Sequence, residues 1–109
     1  MSIRQLSVEE LRDRLTAREP TLLLDVRQPW EHDVAHLPGD VLVPLDELHE
    51  RAGEIEPPAG ALVVCYCHHG VRSLHAAAYL QGLGVTEVCS LQGGIDAWSD
   101  RIDGTVPHY

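Results

Sequence analysis

A chain of 109 residues has room for one hydrophobic core and not for two, so residues 1–109 are expected to form a single domain. Hydrophobic residues at 44% and charged residues at 23% suit a soluble globular protein, with no apolar run of membrane-span length and no signal-peptide core. A formal net charge of -9 with no basic patch argues against nucleic acid or an anionic membrane as partner.

The first predicted element is a helix entered at Ser7. Ser7-Val8-Glu9-Glu10 is a capping box, and Val8, Leu11 and Leu15 follow on one helical face. Glu19-Pro20 stops that helix, and Thr21 to Val26 reads as a buried strand. Pro29 to Val34 fits a short helix, Leu37-Pro38-Gly39-Asp40 a turn, and Val41-Leu42-Val43 a brief strand. Leu45, Leu48 and Ala52 give a weaker helical stripe, ended by Gly53 and then by Pro57-Pro58. Leu62 to Tyr66 is an unbroken apolar strand, and Ser73 to Leu83 a helix with Gly84 as its C-terminal cap. Glu87 to Leu91 is a last short strand. Gly93-Gly94 opens a final helix carrying Ile95 and Trp98 as core residues, and residues 101–109 form a polar C-terminal tail. Strands alternating with helices predict a small α/β domain, with a mainly parallel sheet and helices on both faces.

The chemistry concentrates in Cys67-His68-His69-Gly70-Val71-Arg72-Ser73, between the Leu62–Tyr66 strand and the following helix. A cysteine placed there meets loop N–H groups and the positive end of a helix dipole, which together stabilise a thiolate and make a nucleophile for an anionic substrate. Ligands of such sheets bind at the carboxyl ends of the strands. Asp25-Val26-Arg27 and Cys67 leave two strands at that edge and are expected to face one site. Cys65 and Cys89 lie within strands and read as core packing, with a resolving thiol as the alternative for Cys65. Three cysteines, an odd number, without an export signal argue against a disulfide scaffold and for a reducing compartment, by default the cytoplasm.

Four blocks carry a family resemblance: Asp25-Val26-Arg27 with Glu31, His36-Leu37-Pro38-Gly39, Cys67 to Ser73, and Leu91-Gln92-Gly93-Gly94-Ile95-Asp96-Ala97-Trp98. In that order, and over nearly the whole chain, they resemble a single-domain rhodanese. The resemblance implies a rhodanese-like fold and sulfur transfer through a persulfide on Cys67. The thiolate would take the outer sulfur of a donor such as thiosulfate and pass it to a thiol or cyanide, with no metal or organic cofactor. Ala35 and Asp40 depart from the family pattern, which usually has glycine and alanine there, and both belong to the turn region. The ending Val106-Pro107-His108-Tyr109 and the cysteine loop resemble a subgroup appended to sulfur-carrier-activating enzymes, which hints at a protein thiol or sulfur carrier as acceptor.

Around Cys67, the residues His68, His69, Gly70, Val71, Arg72 and Ser73 are the expected substrate-binding loop. Its N–H groups are expected to point inward and its two histidine side chains outward, where they tune local charge or meet a partner. Arg72 has two readings: it steers the donor's sulfonate, or it pairs with a carboxylate such as Asp25 or Glu31 and locks the loop. Asp25 and Arg27 brace the site edge, and His36 reads as a hydrogen-bonded turn residue.

Three rival functions compete. A phosphatase or arsenate reductase places five residues between its cysteine and arginine; here four separate Cys67 from Arg72, and Ser73 stands where that arginine would be. A metal site built from Cys65, Cys67, His68 and His69 would crowd adjacent ligands that zinc normally draws from two segments. A largely regulatory, catalytically idle rhodanese-like binding module usually lacks the cysteine that this chain retains.

Overall fold

Ser7 accepts a hydrogen bond from the Glu10 amide at 3.0 Å, while the Glu10 carboxylate accepts one from the Ser7 amide at 3.0 Å. This reciprocal cap starts helix α1, Val8–Thr16. The computed structural model describes residues 2–109. Beyond α1 come strand β2 (Thr21–Asp25), helix α2 (Pro29–Val34) and strand β3 (Val41–Leu42). Helix α3 (Leu48–Arg51), strand β4 (Leu62–Tyr66), helix α4 (Val71–Gly82), strand β5 (Val88–Leu91) and helix α5 (Gly94–Arg101) complete the order, with a short strand β1 (Gln5–Leu6) ahead of α1.

The five strands lie in the order β1-β5-β4-β2-β3, and every pairing is parallel. Side chains alternate across such a sheet, so successive residues build two cores. Leu23, Leu62, Val64, Tyr66, Cys89 and Leu91 pack with Val8 and Leu11 of α1 and with Ile95 and Trp98 of α5. On the opposite face Leu24, Val63, Cys65 and Val88 pack with Leu48 of α3 and with Ala76, Ala77 and Leu80 of α4. Each fully buried leucine in these layers contributes about 1.5–3 kcal/mol. The architecture is thus the α/β sheet with helices on both faces that the strand–helix alternation predicts. Among the described residues, no helix is long and apolar enough to cross a membrane.

Four differences from the sequence reading have local causes. Strand β1 pairs Gln5 with Ser90 and Leu6 with Leu91, and two residues are too few to show a period. Helix α4 begins at Val71, two residues before the predicted start, because Gly70 at φ 104° turns the chain directly into it. The Leu45–Ala52 stripe is broken into two 3-10 turns, Leu45–Glu47 and Ala52–Glu54, around the single turn of α3. The segment after α5 is docked, not merely polar: Ile102, Val106 and Tyr109 pack against the core that α1 and α5 cover, and Ser99 Oγ donates to the Val106 carbonyl.

Register positions the site. β2 and β4 pair Asp25 with Tyr66, so the two strands end level and release Val26-Arg27 and Cys67 at the same edge of the sheet.

Candidate active site

Cys67 leaves β4 with its side chain almost fully buried, at 1% exposure. The loop then returns on itself. The Gly70 amide donates to Cys67 Sγ at 3.1 Å, and the Ser73 amide, in the first turn of α4, donates at 3.4 Å. Ser73 Oγ lies 3.5 Å from the same sulfur and 2.7 Å from Ser90 Oγ on β5, both hydroxyls being buried. Two amides and a hydroxyl therefore converge on one sulfur at a helix N-terminus, an arrangement that favours negative charge there. Helix α5 holds the loop from behind. Its first free amides, of Ile95 and Asp96, donate to the carbonyls of Cys67 at 2.9 Å and His68 at 3.1 Å.

Arg72 turns to Glu31. Its guanidinium donates to both carboxylate oxygens, at 2.6 and 2.9 Å, and Glu31 is buried in α2. The Arg72 hydrogen bonds, opposed by burial and helped by Tyr109, hold the Glu31 carboxyl down at about 2. Of the two readings of Arg72, the structure displays the carboxylate pairing that locks the loop to α2.

Arg27 is fully buried and forms a bidentate pair with Asp25, through Nε at 2.9 Å and Nη2 at 2.8 Å. Nη2 also donates to the Ala35 carbonyl and Nη1 to the Tyr109 hydroxyl. Burial works against the Arg27 charge, but the bonds to Asp25 and Tyr109 outweigh it and raise its pKa. Asp25 further accepts from His32 Nδ1 at 2.9 Å. Beside it the buried Tyr66 hydroxyl donates to Asp40 and accepts from the Leu37 amide. Burial raises the Asp40 pKa, partly offset by that tyrosine. The result is a rigid polar frame under the site edge, with no buried side-chain polar atom left unpartnered among the described residues.

The remaining site residues fall into place. His68 and His69 stack on each other at 4.0 Å, and the far face of His68 stacks on the Tyr109 ring at 4.1 Å. Burial, then the neighbouring His69, lowers the His68 pKa. Both histidines approach Asp96, at 4.0 and 3.7 Å. His36 is exposed, donates from Nδ1 to the His32 carbonyl at 3.0 Å and stacks on the His32 ring. Val71 is exposed on the rim. Cys65 and Cys89 are free and buried in opposite cores, and burial pushes the Cys65 thiol up and the Cys89 thiol up to about 11.

Sequence reasoning missed His32, Tyr66, Ser90 and Tyr109 as parts of this frame. His32 lies in α2 and His36 beyond its end, and nothing in the sequence marks the partner of either. Tyr109 lies in a stretch read as polar tail. Among the described residues, two trios bring histidine nitrogens and carboxylate oxygens within 4.8 Å of one another: His32, His36 and Asp40, and His68, His69 and Asp96. Neither trio includes a cysteine.

The family model for the rhodanese-like domain matches residues 7–101. A protein of Allochromatium vinosum named "Sulfurtransferase" is 37% identical over 97 residues, covering 89% of each chain. The Mycobacterium tuberculosis protein named "Probable adenylyltransferase/sulfurtransferase MoeZ" is 36% identical over 100 residues, covering 92% of this chain. This chain spans only about a quarter of the mycobacterial protein, 26% of its length. Among solved structures, a human single-domain sulfurtransferase superposes with a TM-score of 0.77 at 27% identity, over 89% of this chain and 96% of that one.

Proposed function

The chain belongs to the rhodanese-like domain family, and on that premise we propose that it is a sulfurtransferase whose nucleophile and sulfur carrier is Cys67. One observation carries the reading: the Gly70 amide, the Ser73 amide and the Ser73 hydroxyl all meet the Cys67 sulfur. The names of the Allochromatium and human relatives support sulfur transfer as the class of reaction.

The step balances without a cofactor. The Cys67 thiolate attacks the outer sulfur of a sulfane donor, thiosulfate or a persulfide. The donor's S–S bond breaks, and sulfite or a thiolate leaves with the bonding pair. Cys67 now carries a persulfide, with the negative charge on its outer sulfur. An acceptor thiolate or cyanide attacks that outer sulfur, and the Cys67 thiolate is regenerated as leaving group. A protein thiol or a sulfur carrier is the proposed acceptor, in keeping with the adenylyltransferase/sulfurtransferase name of the mycobacterial relative, and the proposed setting is the cytoplasm.

Intact mass spectrometry after thiosulfate or persulfide treatment tests the reading. The expected result is one added sulfur, removed by cyanide and absent in Cys67→Ser, whose hydroxyl does not ionise near neutrality. Full turnover in Cys67→Ser would overturn it.

A further inference from the structure

The cations around Cys67 are already paired. Arg72 is bound through two hydrogen bonds to Glu31, and Arg27 through two to Asp25, each guanidinium meeting one carboxylate. His68 lies between the rings of His69 and Tyr109, where burial disfavours its protonated form. Asp96 adds a further carboxylate beside both histidines. A dianion entering this rim sheds its hydration and finds each guanidinium neutralised, within a chain of net charge -9.

Tyr109 is the member that ties these pairs together. Its hydroxyl accepts from Arg27 Nη1 at 2.8 Å and donates at 2.8 Å to Glu31 Oε2, the oxygen that Arg72 Nη2 also meets at 2.9 Å. Its ring lies flat on His68 at 4.1 Å and meets the exposed Trp30 edge-on at 5.9 Å. The segment that delivers it is fastened twice, by Ser99 Oγ on the Val106 carbonyl and by His108 Nδ1 on Asp96 at 3.0 Å.

Resting on the sulfurtransferase reading, we infer that Tyr109 is a specificity-determining residue: by holding Glu31 on Arg72 it withholds the guanidinium from oxyanions, so the site takes sulfur from a thiol-borne persulfide in preference to thiosulfate. In that reaction the Cys67 thiolate attacks the outer sulfur of R–S–SH. The donor's S–S bond breaks, Cys67–S–SH forms, and R–S⁻ leaves with the electron pair. Neither reactant brings a sulfonate that needs a cation. Tyr109 touches no reacting atom in this scheme; it acts through Glu31 and Arg72 and is a positioning residue.

The test uses the full chain with two donors, thiosulfate and the persulfide of 2-mercaptoethanol, and reads Cys67 persulfide formation as KM and kcat for each. Tyr109→Phe keeps the stacked ring and removes the hydroxyl bridge. It is expected to lower KM for thiosulfate by about threefold, the effect of loosening one partly exposed ion pair, with kcat and the persulfide KM little changed. Glu31→Gln removes the counter-charge outright and moves the thiosulfate-to-persulfide ratio of kcat/KM further in the same direction. If both donors shift together, or the ratio stays at its wild-type value in both variants while Cys67 still takes up sulfur, Tyr109 sets no preference and the inference fails alone. If wild-type Cys67 takes up sulfur from neither donor, the sulfurtransferase reading itself fails.

Discussion

Replacing Gly94 with alanine tests whether the cysteine loop is held in place by α5. Gly94 has φ 62°, a left-handed conformation in which a side chain costs about 1 kcal/mol. Its position is also crowded by backbone. A Cβ there would stand 2.4 Å from the carbonyl oxygens of both Cys67 and His68, where real contacts keep beyond 3.0 Å. Those oxygens cannot swing away as a flexible side chain would, because they accept the Ile95 and Asp96 amides. Forcing them apart resembles overpacking a core, about 1–3 kcal/mol, so Gly94→Ala is expected to lose about 2–4 kcal/mol in all. The displaced residues are the proposed nucleophile and its neighbour, so persulfide formation on Cys67 is expected to slow as well. Gly93→Ala is the control: at φ 79° it is similarly strained, but its Cβ would meet the Ala97 methyl at 2.6 Å and not the loop. Urea unfolding measures the stability of both variants, and the rate of sulfur uptake by intact mass measures the site. Wild-type stability and wild-type uptake in Gly94→Ala, or a larger loss of uptake in Gly93→Ala, would refute the argument.

Cys65→Ala is expected to cost about 1 kcal/mol of stability in urea unfolding and to leave persulfide formation and discharge unchanged, since Cys65 is fully buried among Leu24, Ala76 and Ala77; a variant that loads sulfur but fails to release it would restore the resolving-thiol reading. Glu31 gives the fold an acid-sensitive term. Its folded value of about 2 lies below the ordinary 4.5, so the stabilisation is complete above pH 4.5 and is lost as pH falls through that window toward about 2. The term is about 3 kcal/mol before solvent reaching the one-third exposed Arg72 reduces it, and the stability difference between wild type and Glu31→Gln, followed by unfolding across that pH range, is expected to shrink accordingly.

The elements that sequence made legible are those with a long-enough period or a residue with an obligatory backbone role. Leu62 to Tyr66 announces a central strand because every residue is apolar, and all five are buried. The Ser7–Glu10 cap, Pro29 in the first turn of α2, and Gly84 at φ 102° beyond α4 each mark a boundary by their own chemistry. Gly93-Gly94 was legible as a helix start, whereas the reason for Gly94, a contact with the Cys67 and His68 carbonyls, was not. Long-range polar pairs escaped in the same way. For Arg72 the sequence offers the donor's sulfonate or a carboxylate such as Asp25 or Glu31; in the fold α2 turns the buried Glu31 toward the loop, and Asp25 is committed to Arg27 and His32. Tyr109 lies 78 residues from the glutamate that its hydroxyl meets, and no periodicity spans that distance.

The buried Ser73–Ser90 pair has a directionality that follows from counting protons. Each hydroxyl has one hydrogen to give, and the two oxygens and the sulfur form a short relay. With a thiolate at Cys67, Ser73 must give its hydrogen to the sulfur and so receives one from Ser90. With a neutral thiol, the S–H is given to Ser73, whose own hydrogen then turns to Ser90. The relay thus reverses polarity with each change of charge on Cys67, and it does so without moving a heavy atom. A β5 side chain that never meets the donor therefore senses the ionisation of the sulfur. An apolar residue in place of Ser90 would withdraw its hydrogen from the anionic arrangement and leave the Ser73 hydroxyl with no donor behind it.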